Sequence, residues 1–162
     1  MWLKNLDTNG ENMPAFGKIA QAMKLLRPVF NKFSQAESGD SKLSVDYEEF
    51  VLTRFNGASE KDQKYERHKD SYVHEQNNEI HDTSLRKLSM VMFLNDDLDH
   101  VYTLPGAKKG MLRLYPKGES EEKVVDISPR LGRVVLFKSE EMLHEVMSSH
   151  KWDNYALTVY FN

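Results

Sequence analysis

The sequence predicts a mainly β protein with one supporting helix, arranged as a sandwich or a barrel. Seven short apolar runs, rich in β-branched and aromatic residues, follow one another and are separated by polar or Gly/Pro-containing turns. Upstream of them, apolar residues recur every three or four positions, which is the period of an amphipathic helix. One helix followed by many short strands is typical of these two architectures.

The predicted strands occupy residues 48–55, 86–94, 110–116, 123–127, 132–138, 143–147 and 154–162. The runs at 86–94 and 154–162 carry apolar residues at both odd and even positions, so we expect central strands that are buried on both faces. The segment 71–85, SYVHEQNNEIHDTSL, is polar and is predicted to be a mobile loop.

The helical stripe consists of Phe16, Ile19, Met23, Leu26, Phe30 and Phe33. A single apolar stripe indicates a helix that packs on the sheet as a support. A chain of 162 residues fits one domain. We therefore assign residues 1–46 to N-terminal helical support and residues 47–162 to the β core of a single domain.

Composition narrows the possible partners and locations. Lys and Arg number 22 against 25 Asp and Glu, and no basic run occurs, so nucleic acid is not expected as a partner. No apolar run approaches the length of a membrane-spanning helix, and the first residues lack the apolar core of a signal peptide. We expect no membrane span and a cytoplasmic or nuclear location, with an organelle as the alternative. Because cysteine is absent, a metal would have to be held by His, Asp or Glu.

His68 and Asp70 form a candidate metal-binding pair. They lie two residues apart in a strand-like segment, so their side chains project to the same side. His144 is the best candidate for a third ligand, because it lies between two apolar strand runs. Two histidines and one carboxylate leave coordination positions open, as suits non-haem iron(II), whereas structural zinc takes four protein ligands. His74 and His81 lie in the polar segment and are left out.

Five segments, taken in order, resemble the prolyl hydroxylase branch of the iron(II)/2-oxoglutarate oxygenases, which includes the oxygen-sensing prolyl hydroxylases and their protist and algal relatives. The segments are RHKD, RKLSMVMFLND, GMLRLYP, VDISPRLGRVVLFKSEEMLHEV and YALTVYF, within residues 47–162. The resemblance implies a double-stranded β-helix, or jelly-roll, core. It also places the family's metal ligands, which are its catalytic centre, on His68, Asp70 and His144.

The resemblance further implies an activity and its cofactors. Such enzymes are dioxygenases that use iron(II) and 2-oxoglutarate, and ascorbate is a further candidate cofactor. The reaction expected from this branch is hydroxylation of a prolyl or other side chain, so the partner would be a protein or peptide substrate. Nothing in the residues themselves specifies proline, and a fold does not fix a substrate.

The sequence departs from the family where the far carboxylate of 2-oxoglutarate would bind. A buried carboxylate needs a cation, and an arginine that binds it through two hydrogen bonds is the natural partner. The family has a basic residue on the last core strand, and the aligned residue here is Asn154. Phe93 stands where the oxygen-sensing branch has a tyrosine, whereas Thr158 matches a family position that lines the pocket.

These departures leave three interpretations open. The cation could come from Lys151 in the preceding loop. It could also come from a basic residue on another strand, and Arg113 and Lys87 are the candidates, although the family pattern places Arg113 on the outside. The pocket could accept a different acid. Alternatively, the chain keeps the fold without this chemistry, as a metal-binding sensor without turnover or as a structural or interaction subunit whose partners are the neighbouring subunits of a larger assembly.

Overall fold

The computed structural model describes residues 2–3, 18–19, 21–22, 25–26, 28–32, 48–55, 64–76, 79–95, 110–116, 123–148 and 153–162. The strands are β1 (Trp2–Leu3), β2 (Glu48–Phe55), β3 (Tyr65–His68), β4 (Val73–Gln76), β5 (Glu79–Asp82), β6 (Leu88–Phe93), β7 (Leu112–Tyr115), β8 (Val125–Ile127), β9 (Val134–Lys138), β10 (Leu143–Val146) and β11 (Asn154–Phe161). Residues 18–19, 21–22, 25–26 and 28–32 are helical.

The strands form two antiparallel sheets and a separate hairpin. The larger sheet has the order β1-β2-β11-β6-β9, and the smaller one has the order β3-β10-β7-β8. Side chains from both sheets meet in one buried cluster, which we call the interior cluster: Val91, Phe93, Leu112, Leu114, Phe137 and Ala156. The two sheets therefore face each other across this cluster, and the prediction of a mainly β fold is confirmed.

The opposite face of the larger sheet packs against the helix. Its cluster joins Phe30 of the helix to Phe50, Leu88, Met90, Leu157, Val159 and Phe161. The rings of Phe30 and Phe161 meet edge to face with centroids 5.0 Å apart, and Ile19 packs against the same cluster. Leu26, however, is 42% exposed and contributes less than its place in the stripe predicts. The other stripe residues, Phe16, Met23 and Phe33, lie outside the described residues.

Both strands predicted to be central lie in the middle of the larger sheet. β11 pairs with β2 on one side and with β6 on the other, and β6 also pairs with β9. Almost every residue of β6 and β11 is buried. The faces alternate, because Val91 and Phe93 point into the interior cluster while Leu88 and Met90 point to the helix. Apolar residues at successive positions thus reflect burial on both faces.

The prediction of a loop at residues 71–85 is wrong for most of that segment, because β4 and β5 form an antiparallel hairpin there. At its base the Tyr72 backbone N–H donates to the Thr83 hydroxyl at 2.9 Å, and the Thr83 N–H donates to the Tyr72 carbonyl at 2.9 Å. The hairpin escapes a hydrophobicity pattern because its residues are mostly polar, and Val73 is 64% exposed.

No helix in the described part of the chain is long and apolar enough to cross a membrane. The division at residue 46 stays a prediction, since residues 33–47 lie outside the described ranges.

Candidate metal centre

The two candidate histidine ligands sit on neighbouring antiparallel strands. His68 ends β3, His144 lies in β10, and the two are direct partners in the strand register. Residues opposite each other in an antiparallel pair place their side chains on the same face, close together. The two imidazole rings accordingly lie with their centroids 4.2 Å apart. A pair that is 76 residues apart in the sequence is brought together by strand pairing alone.

Asp70 completes the group just beyond the end of β3. Its Oδ1 atom lies 3.3 Å from Nε2 of His68 and 3.7 Å from Nε2 of His144. The potential ligand atoms of all three residues lie within 4.8 Å of one another. Asp70 and His144 are buried, whereas His68 is half-buried. The structure thus brings together the three residues that the sequence singles out for a metal.

Backbone carbonyls fix which ring nitrogen of each histidine is available. Nδ1 of His68 lies 2.7 Å from the carbonyl of Glu66, and Nδ1 of His144 lies 3.1 Å from the carbonyl of Met142. A carbonyl only accepts, so each Nδ1 carries the hydrogen and donates it. Each Nε2 then lies on the side of Asp70 and is the ring nitrogen available to a metal, which is the arrangement found around metal-bound histidines.

The electrostatics put these side chains in the forms that bind a metal. Burial disfavours the charged form of Asp70, but hydrogen bonds with His68 and Ser89, together with the positive charge that His144 carries when it is protonated, outweigh burial and lower the pKa of Asp70. Burial lowers the pKa of His144, and the nearby Asp70 opposes this only in part. At neutral pH the carboxylate is therefore ionised and the imidazole of His144 is neutral.

The donor set fits iron(II). Oδ2 of Asp70 is buried and has no hydrogen-bond partner, which is costly for a carboxylate unless a cation lies beside it. Two imidazole nitrogens and one carboxylate oxygen are the ligands of the facial triad that holds non-haem iron. Among the described residues the cluster contains three ligands and no fourth, unlike a structural zinc site.

The turn that carries Asp70 is held by the ends of two strands of the larger sheet. The Ser139 carbonyl, just after β9, accepts the N–H groups of Asp70 and Ser71, both at 3.1 Å. The Ser139 hydroxyl shares a 2.8 Å hydrogen bond with that of Ser89 on β6. Arg86, stacked 3.8 Å over the Tyr160 ring, donates to the Asp70 carbonyl at 3.3 Å. No sequence motif marked the two serines.

Asn154, at the start of β11, is engaged in a buried amide pair with Asn95. Its Nδ2 donates to the Gly110 carbonyl at 2.9 Å, and its Oδ1 accepts a 2.7 Å bond from Nδ2 of Asn95. Asn95 also donates to the Pro129 carbonyl and accepts from the Tyr155 N–H. The position of the family's basic residue is thus neutral, and the amide pair joins the backbone segments around residues 95, 110, 129 and 154.

The other residues predicted to bind the co-substrate fall in different places. Phe93 is buried in the interior cluster. Thr158 is half-buried on β11, four residues beyond Asn154 and therefore on the same face. Lys87 lies at the metal end, where its carbonyl accepts the Ser139 N–H. Lys151 lies outside the described residues.

Arg113 faces away from the interior, as the family pattern indicated. Its neighbours Leu112 and Leu114 point into the interior cluster, so Arg113 lies on the other face of β7. There it forms a two-point contact with Asp126, at 2.6 and 2.9 Å, which raises the pKa of Arg113. Arg113 is therefore removed from the candidates for the missing cation.

A protein-family model matches the sequence, and solved structures match the fold. Residues 52–162 match the model of the 2OG-Fe(II) oxygenase superfamily. No curated protein sequence matches the chain. A Pseudomonas putida prolyl-4-hydroxylase superposes with a TM-score of 0.69 at 21% identity, over 100% of this chain and 70% of that one.

Two further solved structures share the fold. A Trichoplax adhaerens prolyl hydroxylase, solved with a hypoxia inducible factor peptide fragment, gives a TM-score of 0.60 at 21% identity over 99% of this chain and 60% of that one. A viral collagen prolyl hydroxylase from Paramecium Bursaria Chlorella virus-1 gives a TM-score of 0.54 at 12% identity, over 99% of this chain and 76% of that one. The prediction of a double-stranded β-helix is confirmed. Because the family model covers more than half of the chain, this protein belongs to the 2OG-Fe(II) oxygenase superfamily.

Proposed function

We propose that this chain is an iron(II)- and 2-oxoglutarate-dependent dioxygenase that hydroxylates a side chain of a protein or peptide. The side chain that we propose is a prolyl ring. The observation that carries the proposal is the convergence of His68, Asp70 and His144, with their ligand atoms within 4.8 Å of one another. Iron bound there would supply the activation of dioxygen. Ascorbate remains a candidate cofactor for keeping the iron reduced.

The protein's own part in this reaction is to hold the metal ligands ready. The carbonyls of Glu66 and Met142 orient the two rings so that each Nε2 atom faces Asp70. The turn of Asp70 is fixed by Ser139, so the carboxylate needs little rearrangement to bind a cation. The burial of Asp70 and His144 keeps water from one side of the site.

The surface beside the metal centre favours a peptide as the substrate. Tyr65 is 52% exposed, and its ring meets that of His68 edge to face with centroids 4.3 Å apart. Tyr72, two residues beyond Asp70, is also exposed. Exposed aromatic rings next to a reactive centre offer an apolar face on which a prolyl ring can pack. The three solved structures described above are named as prolyl hydroxylases, which suggests the same amino acid.

The test combines metal binding with turnover. The protein is loaded with iron(II) and incubated with 2-oxoglutarate, oxygen and a mixture of proline-containing peptides. We expect succinate to form and some peptides to gain one oxygen atom. His144→Ala should lose both products while remaining folded, whereas Ser84→Ala, on the exposed turn after β5, should retain them. Iron binding without succinate, with or without peptide, would contradict the proposal.

A second candidate function is that of a non-catalytic subunit in a larger assembly. It is favoured by one observation, the hydrogen bonds of Asn154 with the Gly110 carbonyl and the Asn95 side chain where a cation would be expected. In that case neighbouring subunits are the partners. His144→Ala would then leave the assembly and the cellular phenotype unchanged, which the oxygenase proposal does not allow.

A further inference from the structure

We propose that Arg133 supplies the positive charge for the far carboxylate of the 2-oxo acid, in place of a basic residue at the position of Asn154. This inference rests on the proposed function, because it concerns the co-substrate of the same site. A carboxylate that enters an apolar interior is stabilised by a cation able to give it two hydrogen bonds. Arg133 is not among the residues that the sequence resemblance marks.

Arg133 stands on the strand face that leads from the metal centre into the interior. It directly precedes β9, and its side chain alternates in phase with those of Val135 and Phe137, both of which pack in the interior cluster. The Phe137 ring lies 4.8 Å, centroid to centroid, from that of His144. Four strand residues span about 13 Å. An extended five-carbon diacid and an arginine side chain together cover that distance.

The guanidinium of Arg133 is held in place by one of its nitrogen atoms, and its other nitrogen atoms can still donate hydrogen bonds. NH1 donates to the carbonyl and to the hydroxyl of Ser128, at 2.8 and 2.5 Å. Within the described residues, Nε and NH2 make no hydrogen bond, and these two atoms form the edge that binds a carboxylate through two parallel bonds. The tether to Ser128 thus holds the group still without using that edge.

The backbone around Arg133 is equally fixed. Its N–H donates to the Arg130 carbonyl, and its carbonyl accepts the N–H of Phe93, both at 3.0 Å. The turn relies on Gly132, whose φ of 72° lies in the left-handed region that other residues adopt at a cost. The arginine is therefore attached directly beside Phe93, the residue that stands where the oxygen-sensing branch has its tyrosine.

The other described candidates are weaker for stated reasons. Asn154 carries no charge, and one of its two N–H bonds is engaged with Gly110. Arg113 is bound to Asp126 on the outer face. Lys87 lies at the metal end rather than toward Phe93. Lys151 enters the experiment as a separate variant.

The experiment measures the contribution of the far carboxylate alone. Iron(II)-loaded protein is titrated without oxygen with 2-oxoglutarate and with 2-oxopentanoate, which has the same length and the same chelating end but an uncharged tail. The visible charge-transfer band reports binding of either acid, and the ratio of the two Kd values isolates the second carboxylate. Arg133→Met is compared with wild type, with the matched control Arg130→Met on the same turn, and with Lys151→Met.

We expect wild type to prefer 2-oxoglutarate by roughly 30-fold or more, the lower end of what truncating one partner of a buried charge pair costs. Arg133→Met should bring the ratio near one and leave 2-oxopentanoate binding unchanged, while Arg130→Met keeps the wild-type ratio. The inference would be overturned if folded Arg133→Met kept the wild-type ratio of the two Kd values. It would also be overturned if Lys151→Met, and not Arg133→Met, lost the preference for 2-oxoglutarate.

The same titration separates this inference from the proposed function. If 2-oxoglutarate and 2-oxopentanoate bind wild type equally well, the iron site is competent and only the assignment of Arg133 fails. If neither acid gives a band on iron-loaded protein, the oxygenase proposal fails together with it. Should Arg133→Met not fold, Arg133→Gln keeps a donor for Ser128 without the charge, and it should show the same loss of preference.

Discussion

At the scale of single residues, the proton on His144 decides whether the metal centre is ready. Its imidazole is buried against Phe137 and beside Asp70, and burial lowers its pKa from the ordinary value of 6.5. Unfolding exposes the ring to water and restores that ordinary value. The unfolded chain therefore binds a proton that the folded chain rejects, and folding becomes linked to pH.

We expect the metal-free protein to lose stability as the pH falls below 6.5. Between the lowered folded pKa of His144 and the unfolded value of 6.5, the unfolded state binds more protons, so the free energy of unfolding falls as the pH falls. The contribution of Asp70, whose pKa is lowered, is present above its unfolded value of 3.8 and is lost at still lower pH. Urea unfolding with a chelator, between about pH 7.5 and 5, measures the slope. His144→Gln should reduce the slope of the free energy of unfolding against pH. Equal slopes for wild type and His144→Gln would show that His144 does not cause this pH dependence.

The hydroxyl pair of Ser89 and Ser139 gives a second prediction at this scale. Both hydroxyls are fully buried and bonded to each other at 2.8 Å, and that of Ser89 helps to lower the pKa of Asp70. Ser89→Ala leaves the other hydroxyl unpaired, so we expect a loss of about 1–3 kcal/mol in the free energy of unfolding. Iron affinity should fall as well, because Asp70 loses a neighbouring dipole.

A double-mutant cycle checks the hydroxyl pair. Ser89→Ala, Ser139→Ala and the double variant are compared by urea unfolding and by iron titration. If the two effects on stability simply add, the hydroxyls do not act as a pair. Ser84→Ala, at an exposed position, serves as the control and should change neither quantity.

At the scale of elements, the described helical residues that pack on the larger sheet are Phe30 and Ile19. Phe30 is buried against Phe161, whereas Leu25, which is also helical, is 80% exposed. We expect Phe30→Ala to lower the free energy of unfolding by about 3–5 kcal/mol, the usual cost of truncating a buried phenylalanine. Leu25→Ala should change it by less than about 0.5 kcal/mol. Chemical denaturation of both variants measures the difference, and equal losses would mean that the helix docks by another face.

The elements also show which parts of the fold a sequence can predict. β2 spans residues 48–55 as predicted. β6 and β11 lie within their predicted runs, because strands buried on both faces carry apolar residues at both odd and even positions. The hairpin of β4 and β5 was not predicted, since it carries mostly polar residues and its pairing leaves no apolar alternation. The apolar pattern of a strand reflects the burial of its side chains, so a strand made mostly of polar residues is hard to predict from the sequence.

The candidate site was predictable to the same limited degree. His68 and Asp70 share a local spacing, and His144 lies in a run of strand-like residues, so their chemistry is visible in the sequence. The roles of Asn95, Ser139 and Arg133 depend on contacts between segments that are far apart in the chain. Strand register decides such contacts, and a single sequence does not reveal it.

At the scale of the whole molecule, the metal centre connects the two sheets. His68 and His144 belong to the smaller sheet, while the Asp70 turn is bonded to Ser139 at the end of β9 in the larger one. A metal held by all three residues would bind the folded state and not the separated strands. Occupancy should therefore stabilise the entire fold and not only the site.

We expect iron(II), or manganese(II) as a redox-inert substitute, to raise the free energy of unfolding by about 2.7 kcal/mol when the free metal exceeds its Kd a hundredfold. Thermal or urea unfolding at several metal concentrations measures the increase. His144→Ala should abolish it, because two remaining ligands hold a metal far less tightly. A metal-dependent increase that survives in this variant would place the metal elsewhere.

The pairing of His68 with His144 has one more consequence, which concerns solubility. β3 has four residues, is largely exposed, and lies at the edge of the smaller sheet. An exposed sheet edge can recruit a strand from another chain, and this is a common route to aggregation. A metal bound by both histidines would link the edge strand β3 to its neighbour β10. Loss of the metal would then loosen that edge, and the chain would become prone to self-association.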